Sequence, residues 1–174
     1  LTAGVTAPFN LTQNAQDDLL RLTLKTDQEE VVLTTLQVSL IGTAVIGDIA
    51  YVKLYKDGTN GENGEGAWSV ADTNVAQAVF PNNKLATLSC LNETLTTSAK
   101  KYFLVVEAAS GATALSTVGL TLKTATMVTV TGVDTVSSAD LSTGLVTTFQ
   151  VSGGDQVTVT SATLNVVTLG QSAG

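Results

Sequence analysis

Ile49-Ala50-Tyr51-Val52-Lys53-Leu54-Tyr55-Lys56 places Ala50, Val52 and Leu54 on one side of an extended chain and Tyr51, Lys53 and Tyr55 on the other. That period of two is how side chains alternate along a half-buried β-strand. The segment runs into Asp57-Gly58 and the turn-rich stretch to Gly66, which reads as a long surface loop. Upstream, Leu20, Leu22 and Leu24 alternate with Arg21, Thr23 and Lys25, and Leu36, Val38 and Leu40 share one face. Downstream, weaker strands are expected around residues 75–80 and 85–91. Tyr102-Phe103-Leu104-Val105-Val106 follows, a continuous apolar run that marks a central strand. Val118, Leu120 and Leu122 alternate again, and residues 127–130 continue the pattern.

Turn signals recur about every 8 to 15 residues, which predicts seven or more antiparallel strands in one sandwich. Further strands are expected at residues 145–151 and 157–169, with a bulge or bend between Val159 and Ala162 where the alternation changes phase. Helical periodicity is weak, and the best candidate is a single turn near residues 69–76. Only Pro8 and Pro81 occur, with no proline-rich linker, so residues 15–174 are expected to form one all-β domain behind an N-terminal arm, residues 1–14.

The 174 residues are 44% hydrophobic but only 13% charged, about half the charge of an average soluble domain, and about a quarter are Ser or Thr. Such a length can bury a sizeable core without staples. Histidine is absent, which removes serine–histidine and cysteine–histidine catalysis and most zinc and haem sites. No cofactor and no metal are expected. A net charge of −7 opposes binding to nucleic acid. The richest apolar stretch, residues 36–47, is broken by Gln37, Ser39 and Thr43, so no membrane span is expected. The single cysteine, Cys90, cannot form an internal disulfide and is expected to be a small buried hydrophobe beside Leu88 and Leu91. The chain opens on Leu1 with no basic, apolar-cored leader, and the expectation is a processed or trimmed form.

The N-terminus carries the functional signal. Leu1, Ala3, Val5, Ala7, Phe9 and Leu11 are apolar, whereas the residues between them are not, giving one apolar face over about 40 Å of extended chain. Gln13-Asn14-Ala15-Gln16-Asp17 then forms a polar break that reads as a hinge. Two destinations fit. The arm can swing out and complete a neighbouring subunit by strand addition, which grows a head-to-tail homopolymer because the contact is heterologous. It can equally be an edge strand of its own sandwich, and Pro8 suits both.

The run from Asp48 to Gly58, the Asn- and Gly-rich loop after it and Lys101-Tyr102-Phe103-Leu104-Val105-Val106 resemble Ig-like β-sandwich modules of prokaryotic secreted and cell-surface proteins, over roughly residues 18–132. The resemblance implies an Ig-like antiparallel sandwich, an extracellular or cell-surface location, and a structural or adhesive building block without catalysis. The arm is similar to the donor strands of fimbrial and other donor-strand-exchange filament subunits, which implies a structural filament subunit whose partners are copies of itself.

In related modules the loop after the Leu-Tyr strand carries calcium-like aspartate spacing. Here Asp57, Asn60, Glu62, Asn63 and Glu65 supply oxygens out of register with a calcium loop, and the stretch reads as a solvated turn. Two sequons, Asn10-Leu11-Thr12 and Asn92-Glu93-Thr94, make Asn10 and Asn92 candidate glycan acceptors. The competing function is a surface adhesin or carbohydrate-binding module that stacks sugars on Tyr51, Tyr55 or Trp68, although Trp68 fits a core or loop-anchoring role better. Neighbouring carboxylates, Asp17-Asp18 and Glu29-Glu30, point to opposite faces of a strand or sit in turns, which does not make a catalytic pair.

Overall fold

The computed structural model describes residues 10–26, 30–59, 61–62, 64–114, 116–122, 124–131, 135–137, 147–152, 156–162 and 167–170. In chain order the strands are β1 (Asn10–Thr12), β2 (Gln16–Lys25), β3 (Val31–Ile41), β4 (Ile49–Lys56), β5 (Thr73–Ala78), β6 (Leu85–Leu95) and β7 (Lys100–Ala108). They continue as β8 (Thr117–Thr121), β9 (Val128–Val130), β10 (Thr135–Ser137), β11 (Thr147–Ser152), β12 (Gln156–Ala162) and β13 (Val167–Gly170). Helix among the described residues is limited to two single 3-10 turns, Ile46–Asp48 and Ala125–Met127. Of the single turn expected near residues 69–76, the chain makes one hydrogen-bonded turn, Asp72 N donating to Ser69 O at 3.1 Å, and then enters β5 without forming a helix.

Two sheets pack face to face. One runs β1-β13-β8-β3-β6, with β9 also on β3; the other runs β10-β11-β12-β2-β7-β4-β5. Among the described residues every pairing is antiparallel except that of β1 with β13. Strands β8 and β9 are two halves of one interrupted strand: β8 pairs with Ser39 to Ile41, and β9 with Leu33 to Leu36. The bulge or bend expected between Val159 and Ala162 does not occur, because β12 pairs with β2 in unbroken register from Thr158 to Ala162; β13 belongs to the opposite sheet.

Alternation explains the core. Leu20, Leu22 and Leu24 of β2, Leu36, Val38 and Leu40 of β3, and Val52 and Leu54 of β4 all lie in one buried cluster. Each such side chain contributes roughly 1.5–3 kcal/mol relative to exposure. Bulges shift the pattern locally. One between Asp18 and Leu20 leaves Leu19 buried as well as Leu20. Another between Ile49 and Tyr51 buries Ile49 in the core while Ala50, expected on the same face as Val52, is only half-buried.

Strand β7 is central, flanked by β2 and β4, and its run from Tyr102 to Val106 is buried throughout. Tyr102, Leu104 and Val106 face the main core, whereas Phe103 and Val105 join Tyr55 and Trp68 in a second cluster. A strand covered on both faces reads as an unbroken apolar run.

The seven strands β2 to β8 keep two pairings of the immunoglobulin arrangement, second with fifth and third with sixth, as β3–β6 and β4–β7. The other three strands differ: β2 lies beside β7 and β8 beside β3, each in the sheet that the other occupies in immunoglobulin domains, and β5 lies beside β4 rather than β6.

Candidate functional site

The arm's candidate interface residues Leu1, Ala3, Val5, Ala7 and Phe9 lie outside the described residues. Leu11 is described, and it is 3% exposed in the core of its own subunit. Its strand runs parallel to β13, with Asn10 opposite Thr168, Leu11 opposite Leu169 and Thr12 opposite Gly170. The last three residues of the alternating stretch therefore form an edge strand of their own sheet.

The polar break after them is a clamped turn, not the hinge expected from its composition. Asn14 adopts a left-handed φ of 61°, which asparagine tolerates better than most residues. The Ala15 amide donates to Thr12 O at 3.1 Å, closing the turn. Asn14 N donates to Ala108 O at 3.2 Å, Ala108 N donates to Ala15 O at 2.9 Å, and the Gln13 amide donates to Ala112 O at 2.8 Å.

Asn92 sits in β6 rather than in a loop, and it is exposed. Between Leu33 and Thr35 the β3–β6 register shifts, so that Leu33 faces Glu93 but Thr35 faces Ser89. Cys90 and Asn92 take left-handed φ values of 59° and 48° within this bulge. Inward positions are Ala86 and Leu88 before it, Leu91 and Leu95 after it. The change of parity turns Cys90, Asn92 and Thr94 to solvent, so Cys90 is exposed instead of buried as expected.

The same inversion points Glu93 inward, where sequence alternation gave no hint of a polar cluster. Its carboxylate accepts from Lys56 Nζ of the opposite sheet and from the Tyr102 hydroxyl at 3.1 Å. Burial, and then the neighbouring Glu93 carboxylate, push the Tyr102 hydroxyl well above its ordinary range.

In the stretch after β4, Thr59, Glu62 and Glu65 are exposed, as expected of a solvated turn, but Asp57 is not. Asp57 is fully buried and its Oδ2 accepts from Gly66 N at 2.9 Å, with Lys101 Nζ 3.9 Å away. Its Oδ1 lies against Gly64, where any Cβ would run into the carboxylate. Asp72 binds Gly58 N and Ser69 N, both at 2.8 Å. Asn60 and Asn63 lie outside the described residues. Among the described residues no three His, Cys, Asp or Glu side chains converge on a point that would hold a metal ion.

This loop lays Trp68 over the outer face of the sheet. Its ring meets Tyr55 edge-on, 5.8 Å between centroids, and both pack with Phe103 and Val105. The Arg21 guanidinium covers Phe103 from 5.7 Å. Tyr55 and Trp68 are thus engaged in packing, which leaves Tyr51 as the exposed member of the proposed sugar-stacking set.

Neighbouring carboxylates are likewise committed. Asp18 pairs with Arg21 Nε at 2.6 Å, and Asp17 accepts from the Asp18 amide at 2.8 Å. Asp48, 2% exposed, accepts from Val45 N at 2.8 Å and Thr113 N at 2.7 Å, tying the turn before β4 to the β7–β8 loop. Burial alone would raise the Asp48 carboxyl, but these donations outweigh it and hold the group below its usual range. No protein-family model and no curated protein matches the chain. Among the described residues no helix is long and apolar enough to cross a membrane.

Proposed function

We propose that the chain is a structural subunit of an extracellular filament, polymerising head-to-tail as residues 1–9 of one copy add a strand to the next. The observation that carries this reading is the pairing of an apolar-faced arm with a clamped root. Leu1, Ala3, Val5, Ala7 and Phe9 alternate with Thr, Gly and Pro, and the chain reaches them from a β1 whose Leu11 is fixed in its own core. A strand with one apolar face is costly to leave in water, and an acceptor sheet edge supplies both apolar cover and backbone partners.

Scaffold behaviour elsewhere supports the reading. The buried Asp48, Asp57 and Asp72 all accept from backbone amides and brace loops, a use of carboxylates suited to a non-catalytic building block. The β3–β6 and β4–β7 pairings fit an Ig-like sandwich whose outer strands have exchanged sheets. Asn92, exposed within its sequon, and Asn10 are candidate acceptors of covalent glycans on the filament surface.

The test compares the full chain with one lacking residues 1–9, which keeps Leu11 in place. Size-exclusion chromatography and negative-stain imaging should find linear polymers of the full chain and folded monomers of the deleted one. A full chain that stays monomeric and is retained by a glycan array would replace the filament by the adhesin reading.

A further inference from the structure

The geometry points to the free edge of β5 as the acceptor of residues 1–9 from a second copy, an assignment that rests on the filament reading. Among the described residues five strands have an unpaired edge: β1, β6, β9, β10 and β5. Strand β1 is the root of the arm itself, and β9 and β10 span only Val128–Val130 and Thr135–Ser137. Strand β6 carries the bulge with left-handed Cys90 and Asn92, a device that turns an edge away from new partners. Strand β5 has one register shift of its own, between Asn74 and Ala76, but no left-handed residue, and among the described residues it pairs with β4 alone.

Chemistry along this border matches the arm. From Thr73 to Phe80 the sequence contains no charge, and neither do the side chains of residues 1–9. Each stretch is about 25–30 Å long when extended. Among the large apolar side chains exposed in the described residues, two flank β5, Val70 at 76% and Val79 at 60%; Tyr51 is on the neighbouring β4, and Val45 is in the turn before β4. On the core side, Ala76 and Ala78 are small and only partly buried against the main cluster. An added strand would set Val5 and Ala7 beside them, with Thr6 next to the exposed Gln77. Around Gln77 the alternation in both segments then agrees, with Ala76 and Ala78 inward and Gln77 outward; Val79 is the apolar exception on the outward side. Pro8, on the polar side, falls in the new edge strand, where a missing amide is tolerated.

The experiment uses the full chain with Cys90→Ser, Thr6→Cys and Gln77→Cys, oxidised after assembly, alongside Gln77→Lys, with circular dichroism as a folding control. Disulfides linking Thr6→Cys of one copy to Gln77→Cys of another, and a polymer fraction about tenfold lower for Gln77→Lys, are expected. Polymers that form without this cross-link and are indifferent to Gln77→Lys would overturn the β5 assignment while leaving strand exchange intact. A wild-type full chain that forms no polymer at all overturns both. Hydrogen exchange on wild-type polymers gives an independent readout, with slowed exchange expected across residues 75–80; slowing confined to β6 or β10 would also overturn the assignment.

Discussion

Lys56 Nζ lies 3.0 and 2.9 Å from the two carboxylate oxygens of Glu93, joining β4 of one sheet to β6 of the other. Both side chains are largely removed from water, at 16% and 14% exposure. Removing one charge from such a pair strands the other. Glu93→Gln should therefore lower stability by about 1–3 kcal/mol, less than a fully buried pair would lose. The double change Lys56→Met, Glu93→Leu should cost less than the sum of its single changes. Urea unfolding measures both, and strict additivity would show that the two residues do not interact.

Tyr102 links the same cluster to alkaline pH. Its hydroxyl is held neutral in the fold by burial and by Glu93, while in the unfolded chain it ionises near pH 10. A pKa raised on folding contributes stability that is complete below the unfolded value and is lost as pH rises beyond it. The protein should thus lose stability above about pH 10 more steeply than Tyr102→Phe does. Equal alkaline slopes for the two proteins would refute this role.

Asp48 acts at the other end of the scale. Its lowered carboxyl stabilises the fold above the unfolded value near 3.9, and that contribution is lost as pH falls through the folded value. Asp48→Asn should flatten stability below about pH 4. Asp48→Ala leaves the Val45 and Thr113 amides without their acceptor, at a cost of about 2–4 kcal/mol at neutral pH. Thermal melts across the acid range distinguish these outcomes.

Tight side-chain packing makes Gly64 a third control point. A methyl group there meets the Asp57 carboxylate, which is fully buried and cannot step aside into water. Gly64→Ala should cost about 1–3 kcal/mol by overpacking. Because the loop also seats Trp68 against Tyr55, the substitution should shift Trp68 fluorescence toward the solvent-exposed value. Unchanged emission and stability would mean that the loop absorbs the methyl elsewhere.

What could be read from the sequence follows from how local each signal is. The alternations in β2, β3 and β4 and the unbroken run of β7 are properties of consecutive residues, and they marked those strands and the central place of β7. The β6 bulge was hidden because an inserted residue inverts the faces without changing the composition around it; Cys90 is therefore exposed where the alternation predicts it buried, and the inward turn of Glu93 left no trace in the sequence. The packing of Trp68 on Tyr55 depends on how residues 57–72 fold back across the sheet, which no short window contains. At the N-terminus, the alternation runs unbroken through Phe9 and Leu11, so it gave no sign that Leu11 belongs to its own core.

Cys90 offers the most direct check on that bulge. With φ at 59° and its side chain in solvent, it occupies a conformation that costs most L-residues about 1–2 kcal/mol and glycine almost nothing. Cys90→Gly should be neutral to about 1 kcal/mol stabilising, whereas Cys90→Val, β-branched at the same position, should destabilise by about 1–2 kcal/mol. In a regular strand with Cys90 facing the core, the order would reverse: glycine would leave a cavity and valine would fit. Alkylation of the native protein adds a second measure, since the exposed thiol should react as fast as in the denatured chain. Slow native labelling together with a more stable valine variant would place Cys90 inside and remove the bulge that turns Asn92 to solvent and Glu93 toward Lys56.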